Sequence, residues 1–195
     1  MKTMLKLSVA AILLAATAAP ALAAGEVLTV DFARVFAESA AAKSGNTQLH
    51  AKYDAQLQQR NTAFTTAAQA YQTQVNAIRA ATKPGTQPAP ASVTQAQQAG
   101  ERAQAAQDAR DQLDQEVQTV GRYVQSQIVE RVTPIAEQVR VERKADVVIP
   151  KGSSLAADPA NDVTTLVIQR LDAAFPNPSI TLPTAPAAAP AGPGR

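Results

Sequence analysis

Residues 45–144 space their larger apolar side chains as long helices do. From Leu49 to Ile78 these side chains are separated by three, four or seven positions, and from Leu113 to Val139 by three or four. The same segment has 19 of the chain's 20 glutamines and much of its alanine, both good helix formers. This heptad-like spacing predicts two long helices, each with one narrow apolar stripe that packs against a partner.

The two helical halves are separated by a sequence that no helix tolerates. The stretch from Lys83 to Pro90 contains three prolines and one glycine. We therefore predict an antiparallel helical hairpin, an arm over residues 45–132, with its tip near 83–91. Folding about this tip places Tyr71 near Ala103 and Arg60 near Asp114. Between Arg79 and Gln112 the only apolar side chain larger than alanine is Val93, so we expect the outer part of the arm to be mobile.

Strand signals flank the arm on both sides. Val27 to Val30 is a β-branched run followed by Asp31, which can cap a short helix. Ala145 to Pro150 predicts a second strand, and 153–157 a third. Because the first two are far apart in sequence, they must pair at the base of the arm.

A last helix is predicted after Asp162, with Val163, Leu166, Val167, Leu171 and Phe175 facing inward. Residues 24–44 and 133–175 then form one discontinuous α+β body, and Pro134 should kink the second long helix or begin a new one. The fold class is thus mainly α with a small β-sheet. A sheet this small is marginal alone, so we expect the body to self-associate.

Two ends of the chain have other compositions. Lys2 and Lys6 precede an apolar run that ends before Ala21-Leu22-Ala23, which predicts a cleaved signal peptide over residues 1–23 and export. A membrane helix is the competing interpretation, but the run is too short. Residues 176–195 contain six prolines and predict a disordered tail.

Composition excludes most enzyme classes. Of the 195 residues 43 are alanine, aromatics make up 4%, and the chain has one histidine and no cysteine or tryptophan. Disulfides, thiolate nucleophiles, Cys-ligated metals and His-rich metal sites are therefore excluded, and we expect neither an enzyme nor a bound cofactor. The formal charge is +2, and removing residues 1–23 leaves 16 basic and 16 acidic groups, which argues against nucleic acid as a partner.

Two motifs carry a family resemblance. They are Val-Leu-Thr-Val-Asp-Phe-Ala-Arg-Val-Phe at 27–36, and the segment from Glu142 to Leu171 with Ala157-Asp158-Pro159 and Asp162-Val163-Thr164. Together with the order of strand, helix, long hairpin, strand and closing helix, they resemble the OmpH/Skp family of periplasmic chaperones. The resemblance covers the mature chain apart from its tail.

The resemblance implies a homotrimer whose strands form a shared β-barrel, with coiled-coil arms that enclose a cavity. It implies an ATP-independent holdase in the periplasm of a Gram-negative bacterium, with unfolded outer-membrane proteins as partners and a peripheral contact with the membrane surface as a further option. Well-studied members are strongly basic, whereas this mature chain is neutral. The alternative is therefore a structural or adaptor coiled-coil protein of the envelope that binds a specific folded partner.

The candidate residues fall into three groups. Tyr53, Phe64 and Tyr71 are candidates for contacting client chains, although packing between the two helices is the more ordinary role for them. His50 and the acidic cluster Asp111, Asp114 and Glu116 are interpreted as solvated helix faces rather than as a pH sensor and a metal site. The predicted core of the body and of the trimer consists of Val27, Leu28, Val30, Val147, Val148 and Ile149.

Overall fold

A computed structural model describes residues 25–183 of the chain. The predicted signal peptide and the end of the predicted tail, residues 184–195, lie outside this range. Two strands and four α-helices follow one another in it, with 3₁₀ turns at Lys151–Ser153 and Pro159–Asn161. The elements are β1 (Val27–Val30), α1 (Phe32–Glu38), α2 (Ala40–Ala81), α3 (Pro90–Arg143), β2 (Val147–Pro150) and α4 (Thr164–Ala174).

Helices α2 and α3 form the predicted antiparallel hairpin. They contain 42 and 54 residues, which corresponds to about 63 and about 81 Å of helix. Ser39 caps α2 by accepting a 3.2 Å hydrogen bond from the Ala42 amide, and Pro90 occupies the first turn of α3. The connection between Ala81 and Pro90 contains the prolines that the sequence indicated.

The pairing of α2 with α3 is close to the predicted one. Tyr71 lies against Gly100, within a few positions of the predicted Ala103. Among the described residues no ion pair joins Arg60 to Asp114, and Arg110, one turn earlier on α3, lies 3.9 Å from the Asp114 carboxylate. Helix α3 also continues through Pro134 without a new start, and residues 153–157 form no strand.

The body closes at the base of the arm. Strands β1 and β2 pair in parallel, with Val27 beside Val147 and Val30 beside Pro150. Helix α4 is fixed to the end of β1, because the Val163 amide donates to the Thr29 carbonyl at 3.0 Å and the Asp31 amide to Thr164 Oγ1 at 2.8 Å. The discontinuous body that the sequence predicted is thus assembled from both ends of the chain.

The core of the body is aliphatic and includes side chains from every helix and from β1. A second, smaller cluster lies further along the arm, between α2 and α3, and consists of Tyr53, Leu113 and Val120. The main core contains Leu28, Val30, Val35, Ala41, Val124, Ile128, Val132, Ile135, Val139, Ala145, Val163, Val167, Ile168 and Leu171. None of the helices within residues 25–183 is both long and apolar enough to cross a membrane.

Residues 176–183 correct the prediction of a tail that is disordered from Pro176 onward. Pro178 is buried, and Ile180 packs against both hydrophobic clusters. Gln127 of α3 makes two hydrogen bonds to Ser179. We call residues 176–183 the strap, because they lie across the roots of both arm helices.

Candidate functional site

The six predicted body residues face two sides of the small sheet. Leu28 and Val30 are buried in the core of the subunit, and Val148 packs against the same core. Val27 and Val147, which are register partners, are each 40% exposed. The sequence therefore identified the sheet correctly, but only part of this set is available for contact with another subunit.

An apolar cleft of about 370 Å³ runs beside β2. It is lined by the whole of that strand and by Val30, Phe32, Val132 and Ala136. An ion pair stands on its border, where Arg140 Nη2 lies 2.7 Å from Glu137 Oε1. A two-stranded sheet is too small to be stable alone, and this exposed apolar surface lies next to it.

A polar network holds the far end of the sheet. Lys151 Nζ lies 2.7 Å from Asp162 Oδ2, and the Thr164 amide donates to Asp162 Oδ1 at 2.9 Å. Partial burial alone would raise the pKa of Asp162, but the hydrogen bonds from Lys151 and Thr164 outweigh it and leave this pKa lowered to about 2. Asp162 is thus held ionised as a structural anchor for the start of α4.

The three aromatic candidates of the arm have different environments. Tyr53 is 1% exposed and packs between α2 and α3, so its ring has almost no surface open to a client. Phe64 is half-buried, with the Arg110 guanidinium 5.0 Å above its ring. Tyr71 is 41% exposed and lies over Gly100. Phe64 and Tyr71 are therefore accessible to a partner.

The outer surface of the arms is rich in alanine, threonine and carboxamide side chains. Exposed residues such as Gln58, Gln59 and Thr62 surround a shallow depression on α2, bordered by Ala55 and Ala63. These side chains place hydrogen-bond donors and acceptors beside the small apolar groups of alanine and threonine. Such a surface suits numerous weak contacts with a polypeptide rather than one tight pocket.

The root of the arm has an open cleft between α1, α2 and α3. Its volume is about 450 Å³, and Phe36 of α1 forms one wall. Apolar side chains line its floor, and Lys43, Asn46 and Gln125 stand among them. The sequence did not predict this cleft, because Phe36 and the roots of α2 and α3 meet only after the chain has folded.

The charged candidates are engaged in local pairs. His50 is exposed, and its Nδ1 lies 3.0 Å from Asp54 Oδ1 on the next turn. Asp111 and Asp114 both lie beside Arg110, and Glu116 accepts a hydrogen bond from Tyr53. Among the described residues no group of three or more His, Cys, Asp or Glu side chains could hold a metal ion.

A solved structure has the same fold. It is described as a candidate outer membrane chaperone (OmpH-like) from Caulobacter crescentus CB15, and it superposes with a TM-score of 0.57 at 22% identity. The match covers 83% of this chain and 90% of that one. None of the curated proteins compared with the chain is similar enough to count as a match.

The sequence profile of one family spans most of the chain. The profile described as outer membrane protein (OmpH-like) matches residues 26–171, which include both strands, the helices α1 to α3 and the helix α4 up to Leu171. The strap begins beyond this match. The chain belongs to the OmpH-like outer membrane protein family.

Proposed function

We propose that this protein is an ATP-independent periplasmic chaperone that binds unfolded outer-membrane proteins and prevents their aggregation. The observation that supports it most is the family match over residues 26–171, together with a long arm whose exposed surface consists mainly of small and carboxamide side chains. Such a surface can contact many different chains weakly, as a holdase must. The chemistry of this surface includes no candidate catalytic group.

The arms supply the binding surface in this proposal. Exposed Tyr71 and half-buried Phe64 add aromatic contacts along a face that is otherwise small and polar. The cleft at the arm root adds an apolar depression at the base of the same hairpin. A client held by several weak sites at once gains avidity while each contact stays exchangeable.

We further propose that three subunits associate through the body. The exposed Val27 and Val147 and the cleft beside β2 offer an apolar surface next to an unpartnered sheet edge. Pairing this edge with a second subunit would satisfy free backbone groups and cover the cleft. The arms of the three subunits would then surround a common cavity, as the family resemblance implies.

A second candidate function is supported by charge. Without residues 1–23 the chain has 16 basic and 16 acidic groups, so it lacks the net positive charge that would attract acidic unfolded clients over a distance. An adaptor that binds one folded partner of the envelope would need no such charge. The two functions differ in whether unrelated unfolded barrels are bound with comparable affinity.

The test is an aggregation assay with residues 24–195. Several urea-unfolded outer-membrane barrels are diluted into buffer with and without this protein, and light scattering is followed. We expect suppression for each barrel, saturating near one client per three subunits. No suppression of any barrel at large excess would contradict the holdase and favour the adaptor. Suppression of a single barrel would contradict general client binding.

A further inference from the structure

The strap is bound mainly through its main chain. Gln127 Nε2 donates to the Ser179 carbonyl at 2.8 Å, and its Oε1 accepts from the Ser179 amide at 3.0 Å. From the other arm helix, Gln48 Nε2 donates to the Pro178 carbonyl at 3.2 Å. A side-chain amide that pairs with both the N–H and the C=O of one residue repeats the hydrogen bonding of a neighbouring β-strand.

Two side chains of the strap face the arm roots. Pro178 is buried where α2 has Gly45, since a Cβ atom on that glycine would lie 3.2 Å from Pro178 Cγ. Ile180 packs against both the core of the body and the cluster between the arms. Alternate residues of an extended chain point to the same side, so this spacing suits an extended peptide.

Within residues 25–183 no charged side chain forms a hydrogen bond or ion pair with the strap. Besides the glutamines, Ser44 Oγ donates to the Asn177 side chain at 2.8 Å, which is the one side-chain-to-side-chain hydrogen bond between strap and arms among the described residues. The remaining three hydrogen bonds involve main-chain atoms that every polypeptide possesses. The groove therefore recognises an extended backbone with a small or proline residue followed, two positions later, by an aliphatic one.

We propose that this groove between Gln48 and Gln127 is a binding site for extended polypeptide segments, and that the strap occupies it as an intramolecular competitor. The inference rests on the proposed function, because unfolded clients are the ligands that supply such segments. A client segment that displaces the strap takes over the same main-chain hydrogen bonds. The strap thus keeps the groove covered until a client is present in sufficient local concentration.

The experiment uses residues 24–195 and a fluorescein-labelled peptide with the sequence of residues 175–183, Phe-Pro-Asn-Pro-Ser-Ile-Thr-Leu-Pro. Ser179→Pro removes the backbone N–H that donates to Gln127 Oε1 and leaves the residues of the groove unchanged. Ser179→Ala keeps that amide and is the matched control. Peptide affinity is measured by fluorescence anisotropy.

We expect Ser179→Pro to bind the peptide at least about tenfold more tightly than the unmodified protein. If the strap occupies the groove in about nine-tenths of the molecules, only about one-tenth can bind the peptide, and the apparent affinity is about tenfold lower. Ser179→Ala should behave as the unmodified protein does. Adding Gln127→Ala to Ser179→Pro should abolish the gain, since alanine suits helix α3 but cannot bind the peptide backbone. Ile180→Asp offers a second route to release the strap and should reproduce the gain.

Two results would overturn the inference. One is equal peptide affinity of Ser179→Pro with and without Gln127→Ala, which would place peptide binding elsewhere. The other is no gain in affinity from either Ser179→Pro or Ile180→Asp, which would make the strap only a structural clasp. The aggregation assay separates this inference from the proposed function. If every variant suppresses aggregation equally, the holdase function is supported and the role of the groove in client binding is contradicted. If the peptide affinity rises but no variant suppresses aggregation, the groove is supported and the holdase function is contradicted.

Discussion

The hydroxyl of Tyr53 on α2 donates a 2.7 Å hydrogen bond to Glu116 Oε1 on α3, and this bond joins the two arms across their seam. Lys52 lies 4.0 Å from the same carboxylate and 4.7 Å from the centre of the Tyr53 ring. The ring is buried while the carboxylate is half exposed, so the pair stands at the border between seam and solvent. It links the two helices beside the small cluster of Tyr53, Leu113 and Val120.

Tyr53→Phe should lower the free energy of unfolding by about 1 kcal/mol, because it removes this hydrogen bond and keeps the packing of the ring. Tyr71→Phe is the matched control on the same helix, at a residue that is 41% exposed, and should have almost no effect. Urea unfolding followed by circular dichroism measures both. Equal effects of the two variants would contradict a role of the hydroxyl in joining the arms.

Gly45 and Gly121 should respond in opposite ways to alanine. A Cβ atom at Gly45 would lie 2.7 Å from Val124 Cγ1, whereas at Gly121 it would meet nothing within 4 Å. Gly121→Ala should therefore stabilise the protein by about 1 kcal/mol through helix propensity. Gly45→Ala gains the same propensity but should lose about 1–3 kcal/mol to crowding against Val124. Unfolding free energies compare them, and a Gly45→Ala variant as stable as Gly121→Ala would show that the roots can move apart freely.

Asp172 provides a capping interaction from a different helix. Its Oδ1 accepts a 2.7 Å hydrogen bond from the Ala40 amide at the start of α2. Asp172→Ala should cost about 1 kcal/mol of unfolding free energy, while Asp172→Asn retains an acceptor and should cost less. Thermal unfolding of the two variants tests this, and hydrogen exchange at the first turn of α2 should rise only in the alanine variant.

Asp162 should make stability depend on pH under acidic conditions. Its pKa in the folded chain is lowered from 3.8 to about 2, so its contribution is present above about pH 4 and is lost as the pH falls toward 2. Asp162→Asn should remove about 1–2 kcal/mol at neutral pH and flatten this part of the stability profile. Urea unfolding at a series of pH values measures it. An unchanged slope between pH 4 and 2 would show that other carboxylates determine the acid response.

Val147 and Val148 should separate association from folding. Val147 is 40% exposed, whereas Val148 packs against the core of its own subunit. Val147→Asp should give folded monomers if the body is the interface, while Val148→Asp should also destabilise the subunit, because Val148 packs against the core as well as lining the cleft. Sedimentation and circular dichroism distinguish these results. A folded trimer of Val147→Asp would place the interface away from this strand.

The hairpin could be predicted from sequence because its signals are local. Helical spacing, the prolines between 83 and 91, and the strand motifs at 27–30 and 147–150 each act over a few residues. The ion partner of Asp114 was not predicted, because Arg110 is on the same helix, four positions earlier. Pro134 was expected to kink α3 or to begin a new helix; the new start is wrong, because α3 continues through Pro134, and the kink stays a prediction. Val132, Ile135 and Val139, near Pro134 on both sides, are buried.

The candidate site was predicted less well, for a physical reason. The strap has the composition of a disordered segment, and its placement depends on Gln48, Gln127 and Gly45, which meet it only in three dimensions. Proline content predicts the absence of helix, but it does not predict the absence of contacts. The root cleft next to Phe36 likewise depends on how α1 turns into α2. Both features are products of tertiary structure.

The hydrogen bond between Asp172 and Ala40 also bears on the order in which the parts of the molecule fold. Its two partners are 132 residues apart in the chain, and the bond between Thr164 and Asp31 spans 133. The contacts of the arm lie within helices and across one hairpin, and contacts of this kind form quickly. Contacts between residues that are far apart in the chain, such as these two hydrogen bonds, form more slowly. Because synthesis starts at the amino terminus, α2 and α3 can become helical before α4, the last helix of the body, is present. Closure of the body therefore waits until α4 is available to pack against α1 and α2.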